Sequence, residues 1–113
     1  MNLFNHERED YILEHTGTCS VLEQCAEECC ELGQVCLKMA RKIRNQNPTP
    51  KRMNEIEKDF KEEVADVLVC LSVLIKSNNL TTFEELENIF DMKIKRWVER
   101  VRGSETEKKH TEM

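Results

Sequence analysis

Three stretches of this chain repeat apolar residues at alternating steps of three and four, the period of an α-helix with one buried face. The first, from about Ser20 to Arg44, carries Leu22, Cys25, Cys29, Leu32, Cys36, Met39 and Ile43. The second, from about Pro50 to Ser77, carries Phe60, Val64, Val67, Leu71 and Leu74. The third, from about Phe83 to Arg102, carries Phe83, Leu86, Phe90, Ile94, Trp97 and Val101. Composition agrees with an all-α chain: 35% of residues are charged, and only 3 Gly and 2 Pro are available to make the turns that a sheet protein needs. Three such stripes pack most simply as an antiparallel helical bundle, completed by helices of a partner subunit.

The punctuation fits that reading. Gly17 closes a shorter N-terminal helix over about Glu7 to His15, Pro48 and Pro50 break the middle, and Asn78-Asn79 break the chain again. Ser20 with Glu23, and Thr82 with Glu85, have the spacing of capping boxes. Thr49 is expected as N-cap with Pro50 in the first helical position, and Gly103 as the residue that ends the last helix. Residues 1–103 therefore read as a single helical domain, and the polar segment 104–113 as a disordered tail.

A net charge of -5 argues against a broad nucleic-acid surface, and no apolar run is long enough to span a membrane. The first ten residues lack the apolar core of a signal peptide, so the expected location is cytoplasmic. In that reducing setting Cys25, Cys29 and Cys36 read as small buried hydrophobes. A structural zinc site is the sharper alternative, but none of the cysteines forms a C-x-x-C pair.

The acidic residues carry the chemistry. Glu27-Glu28-Cys29-Cys30-Glu31 on the first long helix is matched by Glu62-Glu63-Val64-Ala65-Asp66 on the second, each position lying 35 residues from its counterpart. At about 100° per residue, Glu28 and Glu63 fall at the edge of their apolar stripes, with Glu31 and Asp66 one turn on along the same side. Antiparallel packing can bring these four carboxylates to one place, where they repel one another unless a cation lies among them. Mg²⁺ suits such a site because it is hard, takes oxygen ligands and keeps exchangeable waters; Mn²⁺ is a possible substitute. Glu27 and Glu62 point further outward as ordinary surface charge. No His follows either acidic motif, which argues against a di-iron centre, and His6, His15 and His110 lack ligand spacing.

The pair of motifs resembles the EExxE…ExxD signature of the MazG-like all-α nucleoside triphosphate pyrophosphatase superfamily, over roughly Gly17 to Arg102. The resemblance implies hydrolysis of a (d)NTP to the monophosphate and pyrophosphate, in the service of nucleotide-pool housekeeping. It implies metal ligation and catalysis by Glu28, Glu31, Glu63 and Asp66. It also implies phosphate binding by a Lys and an Arg on the last helix, best matched by Lys93 and Arg96, with Arg100 a weaker match. A homodimer or homotetramer is expected, since long helices in so short a chain leave apolar seams uncovered. Within the superfamily, dUTPase, dCTP pyrophosphatase and phosphoribosyl-ATP pyrophosphohydrolase activities would share the same carboxylates. The rival from another class is a non-catalytic helical interaction module.

Overall fold

The computed structural model describes residues 6–46, 50–77 and 80–112, and every regular element among them is an α-helix. These are α1 (His6–Thr16), α2 (Thr18–Arg44), α3 (Met53–Ser77) and α4 (Phe83–Glu112). The chain divides into two compact units, Met1–Leu80 and Thr81–Met113. No helix among the described residues is long and apolar enough to cross a membrane.

In the first unit α2 packs along α3, and α1 lies chiefly against α3. The two long helices run antiparallel: Val21, near the start of α2, clusters with Val73 and Leu74, near the end of α3, and Leu13 and Cys25 pack on that cluster. Among the described residues the buried apolar side chains are few, namely Val21, Ile56, Cys70, Val73 and Leu74. One polar pair joins them. Glu9 of α1 is buried, and the Ser72 hydroxyl of α3 donates a hydrogen bond to its Oε1.

The helix ends correct several expectations. A single residue, Gly17, joins α1 to α2; its φ of 86° is open to glycine and strained for other residues. Gly17 N–H donates to Leu13 O, and Gly17 O accepts from Val21 N–H, so one residue closes one helix and opens the next. Helix α2 thus starts two residues before Ser20, and the Ser20–Glu23 capping box is not used. Its other end is a Schellman turn, with Asn45 in the left-handed region and bonds from Asn45 N–H to Lys42 O and from Gln46 N–H to Arg41 O.

Helix α3 begins at Met53, not at Pro50, which sits in a bend. Arg52 O takes the first amides, from Glu55 and Ile56, and Lys51 Nζ ties the approach to Asp59 at 2.7 Å. Thr49 and the Asn78-Asn79 break lie outside the described residues.

In the second unit Thr82 caps α4 as expected, its Oγ1 accepting from Glu85 N–H at 3.1 Å. The Glu85 carboxylate accepts from the Thr81 hydroxyl at 2.9 Å, one residue before the partner of a standard box. Gly103 does not end the helix: α4 continues to Glu112. The sequence supplies the reason, since Glu105, Glu107, Lys108 and Lys109 are good helix formers and the glycine keeps helical backbone angles. Along α4 the residues Phe90, Ile94, Trp97 and Val101 are exposed.

Candidate metal centre

The inward faces of α2 and α3 follow one pattern. On α2 the row Val21, Cys25, Glu28, Leu32, Val35 and Met39 is buried or half-buried, and on α3 so is the row Ile56, Phe60, Glu63, Val67, Cys70 and Leu74. Every member has its counterpart 35 residues away. Compared with the expected stripes, the faces keep positions 25, 32 and 39, and 60, 64, 67 and 74, but trade Leu22, Cys29, Cys36 and Leu71, all exposed, for the residues one step earlier. That turns the buried face of α2 by roughly 50°, half of one residue step, and widens that of α3. The change places Glu28 and Glu63 within the packed rows instead of at their edges.

Glu28 and Glu63, together with Glu31, each bring one carboxylate oxygen to within 4.8 Å of the others. Gln24, one turn before Glu28, donates from Nε2 to Glu28 Oε1 at 2.7 Å. The second oxygens, Glu28 Oε2 and Glu63 Oε2, are buried and have no hydrogen-bond partner. Burial pushes the Glu63 carboxyl above the ordinary carboxylate range, and the charges of Glu31, Asp66 and Glu28 and a hydrogen bond with Glu31 act in the same direction.

Of the four carboxylates expected to converge, three do. Asp66 is exposed and stands outside the group of three, close enough for its charge to bear on Glu63. Buried carboxylate oxygens without a donor are costly, and a hard divalent cation relieves both their desolvation and their repulsion. The donor set, all carboxylate oxygen, fits Mg²⁺ or Mn²⁺ and not a soft metal.

The thiols have a different character. Burial pushes the Cys70 thiol up, with the neighbouring Cys25, Glu28, Asp66 and Cys29 adding to it. Burial likewise raises Cys25, helped by Cys29. A soft metal needs thiolates, and this acidic setting disfavours them. All six cysteines are free; of those expected inside, Cys25 is half-buried, whereas Cys29 and Cys36 are exposed.

Lys93 and Arg96, three residues apart and so neighbours on the surface of α4, are both exposed and belong to the second unit. Sequence reasoning passed over Gln24, although a Gln four residues before an acid on a helix is itself a recognised pairing. It also passed over the Glu9–Ser72 contact, which joins positions 63 residues apart and leaves no local signal. Comparison with family models, curated proteins and solved structures finds no match to this chain, so the three converging carboxylates are the ground on which its function has to be read.

Proposed function

We propose that the protein is a Mg²⁺-dependent nucleoside triphosphate pyrophosphohydrolase of the MazG-like kind, converting a (d)NTP and water to the (d)NMP and pyrophosphate. The observation that carries this reading is the meeting of Glu28, Glu31 and Glu63 with two buried carboxylate oxygens that no protein group satisfies. Those three residues would hold the cation. Once bound, Mg²⁺ supplies charge neutralisation for phosphate oxygens and a bound water of lowered pKa.

The remaining work falls to the chain's own groups. Asp66, exposed beside Glu63, accepts a proton from the attacking water. Gln24 orients the Glu28 carboxylate through its amide hydrogen bond. Phosphate binding is assigned to Lys93 and Arg96 of the second unit from the resemblance of their spacing to the family's pattern. The direct test is release of pyrophosphate from a panel of dNTPs with Mg²⁺ and its loss in EDTA. A folded protein that releases none from any of them would end this reading.

Ala at Lys93 or Arg96 is expected to lower kcat/KM by about 1.5–3 kcal/mol, the range for a hydrogen bond to a charged group. Helicity and Mg²⁺-induced stabilisation should be unchanged. Wild-type turnover in both variants would make these residues ordinary surface charge.

Self-association belongs to the same proposal. In the first unit Leu22, Leu37, Ile43, Leu68 and Val69 are exposed, more apolar surface than an isolated pair of packed helices leaves to water without a reason. Light scattering at micromolar concentration should return twice or four times the 13.3 kDa chain mass. A monomer mass would refute it.

A further inference from the structure

Helix α4 carries a stripe that is apolar and open to water. Phe83, Phe90, Ile94, Trp97 and Val101 are exposed, Trp97 over 63% of its surface, and Leu86 is half-buried. Positions 94, 97 and 101 repeat positions 83, 86 and 90 eleven residues on. An 11-residue period corresponds to about 3.67 residues per turn, close to that of the helix itself, so the stripe runs almost straight. From Phe83 to Val101 it covers about 27 Å of helix.

The side chains of the stripe are spaced almost symmetrically about position 92. Phe90 and Ile94 stand two residues to either side, Leu86 and Trp97 six and five, and Phe83 and Val101 nine. A second copy laid antiparallel and crossing at that point sets Phe90 opposite Ile94, Leu86 opposite Trp97 and Phe83 opposite Val101. Each contact then joins an aromatic ring to an aliphatic side chain, the alternation of large and small that packs densely. A parallel copy would instead set Phe90 on Phe90 and Trp97 on Trp97.

Charge selects the same direction. Residues 83–91 hold four acids, Glu84, Glu85, Glu87 and Asp91, and no base. Residues 93–102 hold five bases, Lys93, Lys95, Arg96, Arg100 and Arg102, against one acid, Glu99. Packed helices stand about 8–10 Å apart, within the screening length of roughly 10 Å at 0.1 M salt. Antiparallel copies lay the acidic half of each helix along the basic half of the other, whereas parallel copies set like on like. An anionic membrane would suit the basic half and Trp97 but would repel the acidic half. A second copy satisfies both.

We propose that α4 is a self-recognition helix, through which two copies of the protein join by antiparallel pairing of their stripes, acidic half on basic half. The contact is isologous and closes on itself as a dimer. It is separate from the apolar surface of the first unit, so a chain that uses both faces assembles as a tetramer. It holds whether or not the carboxylate centre hydrolyses nucleotides.

Sedimentation velocity of the full chain tests the pairing in wild type, Trp97→Asp and the double variant Glu87→Lys/Asp91→Lys, all altered at exposed positions. Trp97→Asp should halve the assembled mass, from tetramer to dimer or from dimer to monomer, with helicity by circular dichroism retained. The double variant, whose acidic half carries no net charge, should pair about tenfold more weakly than wild type at low salt, the scale of several exposed ion pairs. Raising NaCl to about 1 M shortens the screening length to roughly 3 Å, so wild-type pairing should weaken by a similar factor while the double variant changes little. An unaltered mass in Trp97→Asp would overturn the pairing; if that variant lost helicity, the double variant and the salt series would still read the contact. Pairing that tightens as salt rises would overturn the antiparallel arrangement, and the proposal with it. A wild-type monomer that sediments with phosphatidylserine vesicles, and no longer does so as Trp97→Asp, would give this face to a membrane instead.

Discussion

Glu63→Gln is expected to melt at a higher temperature than wild type in EDTA, to lose most of the stabilisation that Mg²⁺ provides, and to hydrolyse nothing above background. The first effect follows from electrostatics. In the folded protein burial and the charges of Glu31, Asp66 and Glu28 all oppose ionisation of Glu63, so at neutral pH the unbound site is held together against its own repulsion. An amide of the same shape removes one charge. The second effect follows from linkage, since a cation that binds only the folded state stabilises it according to its affinity, and the variant has lost a ligand. The third is the largest. Several kcal/mol of charge stabilisation, the scale of a metal's contribution, corresponds to about a thousandfold or more in rate.

The pH dependence of the unbound protein carries the same signature. A carboxyl whose folded pKa lies above its unfolded value of 4.5 binds more protons in the folded state. Stability in EDTA should then fall as pH rises through 4.5 towards the raised folded value, and Glu63→Gln should flatten that part of the curve. Thermal unfolding of both proteins, with EDTA and with excess Mg²⁺, measures all of this. Equal Mg²⁺-induced shifts in the two proteins would show that Glu63 is no ligand.

Ile56→Ala should be the most damaging single truncation in the core. Ile56 is 1% exposed and, with Val73, is one of the two largest fully buried side chains. Truncating a buried isoleucine costs about 2–5 kcal/mol, through lost transfer energy and the cavity left behind. In a domain of this size 1 kcal/mol moves the midpoint by about 4–8 °C, so a fall of about 10 °C or more is expected. Lys61→Ala, at an exposed position on the same helix, is the control and should change little. Chemical denaturation of both variants gives the comparison. A loss below about 1 kcal/mol for Ile56→Ala would mean that α3 does not lean on this residue.

The mutual placement of α2 and α3 was largely legible in the chain. The three–four period fixed helix as the backbone. The 35-residue echo between Glu28 and Glu63, and between Glu31 and Asp66, placed the acids alike on both helices before any packing was known. Legibility stopped at the helix ends. Gly17 caps α2 through its backbone alone, Pro50 stays outside α3, and Gly103 stays inside α4. Glycine and proline permit these outcomes without dictating them, because the winning arrangement depends on which backbone groups find partners nearby.

What the sequence determined by itself is the class of fold and the identity of the acids, because both rest on periodicity along one helix. Tertiary structure decided how far each helix is turned. A stripe read along the chain is wide enough to tolerate a rotation of about 50°, and the packing of α2 against α3 covers Val21 and Val35 where Leu22 and Cys36 stay exposed. That packing carried Glu28 and Glu63 from the rim into the seam and left two carboxylate oxygens without partners. It also set Asp66 outside the group of three. Those relations depend on distances between residues far apart in the chain, and only the packed helices supply them.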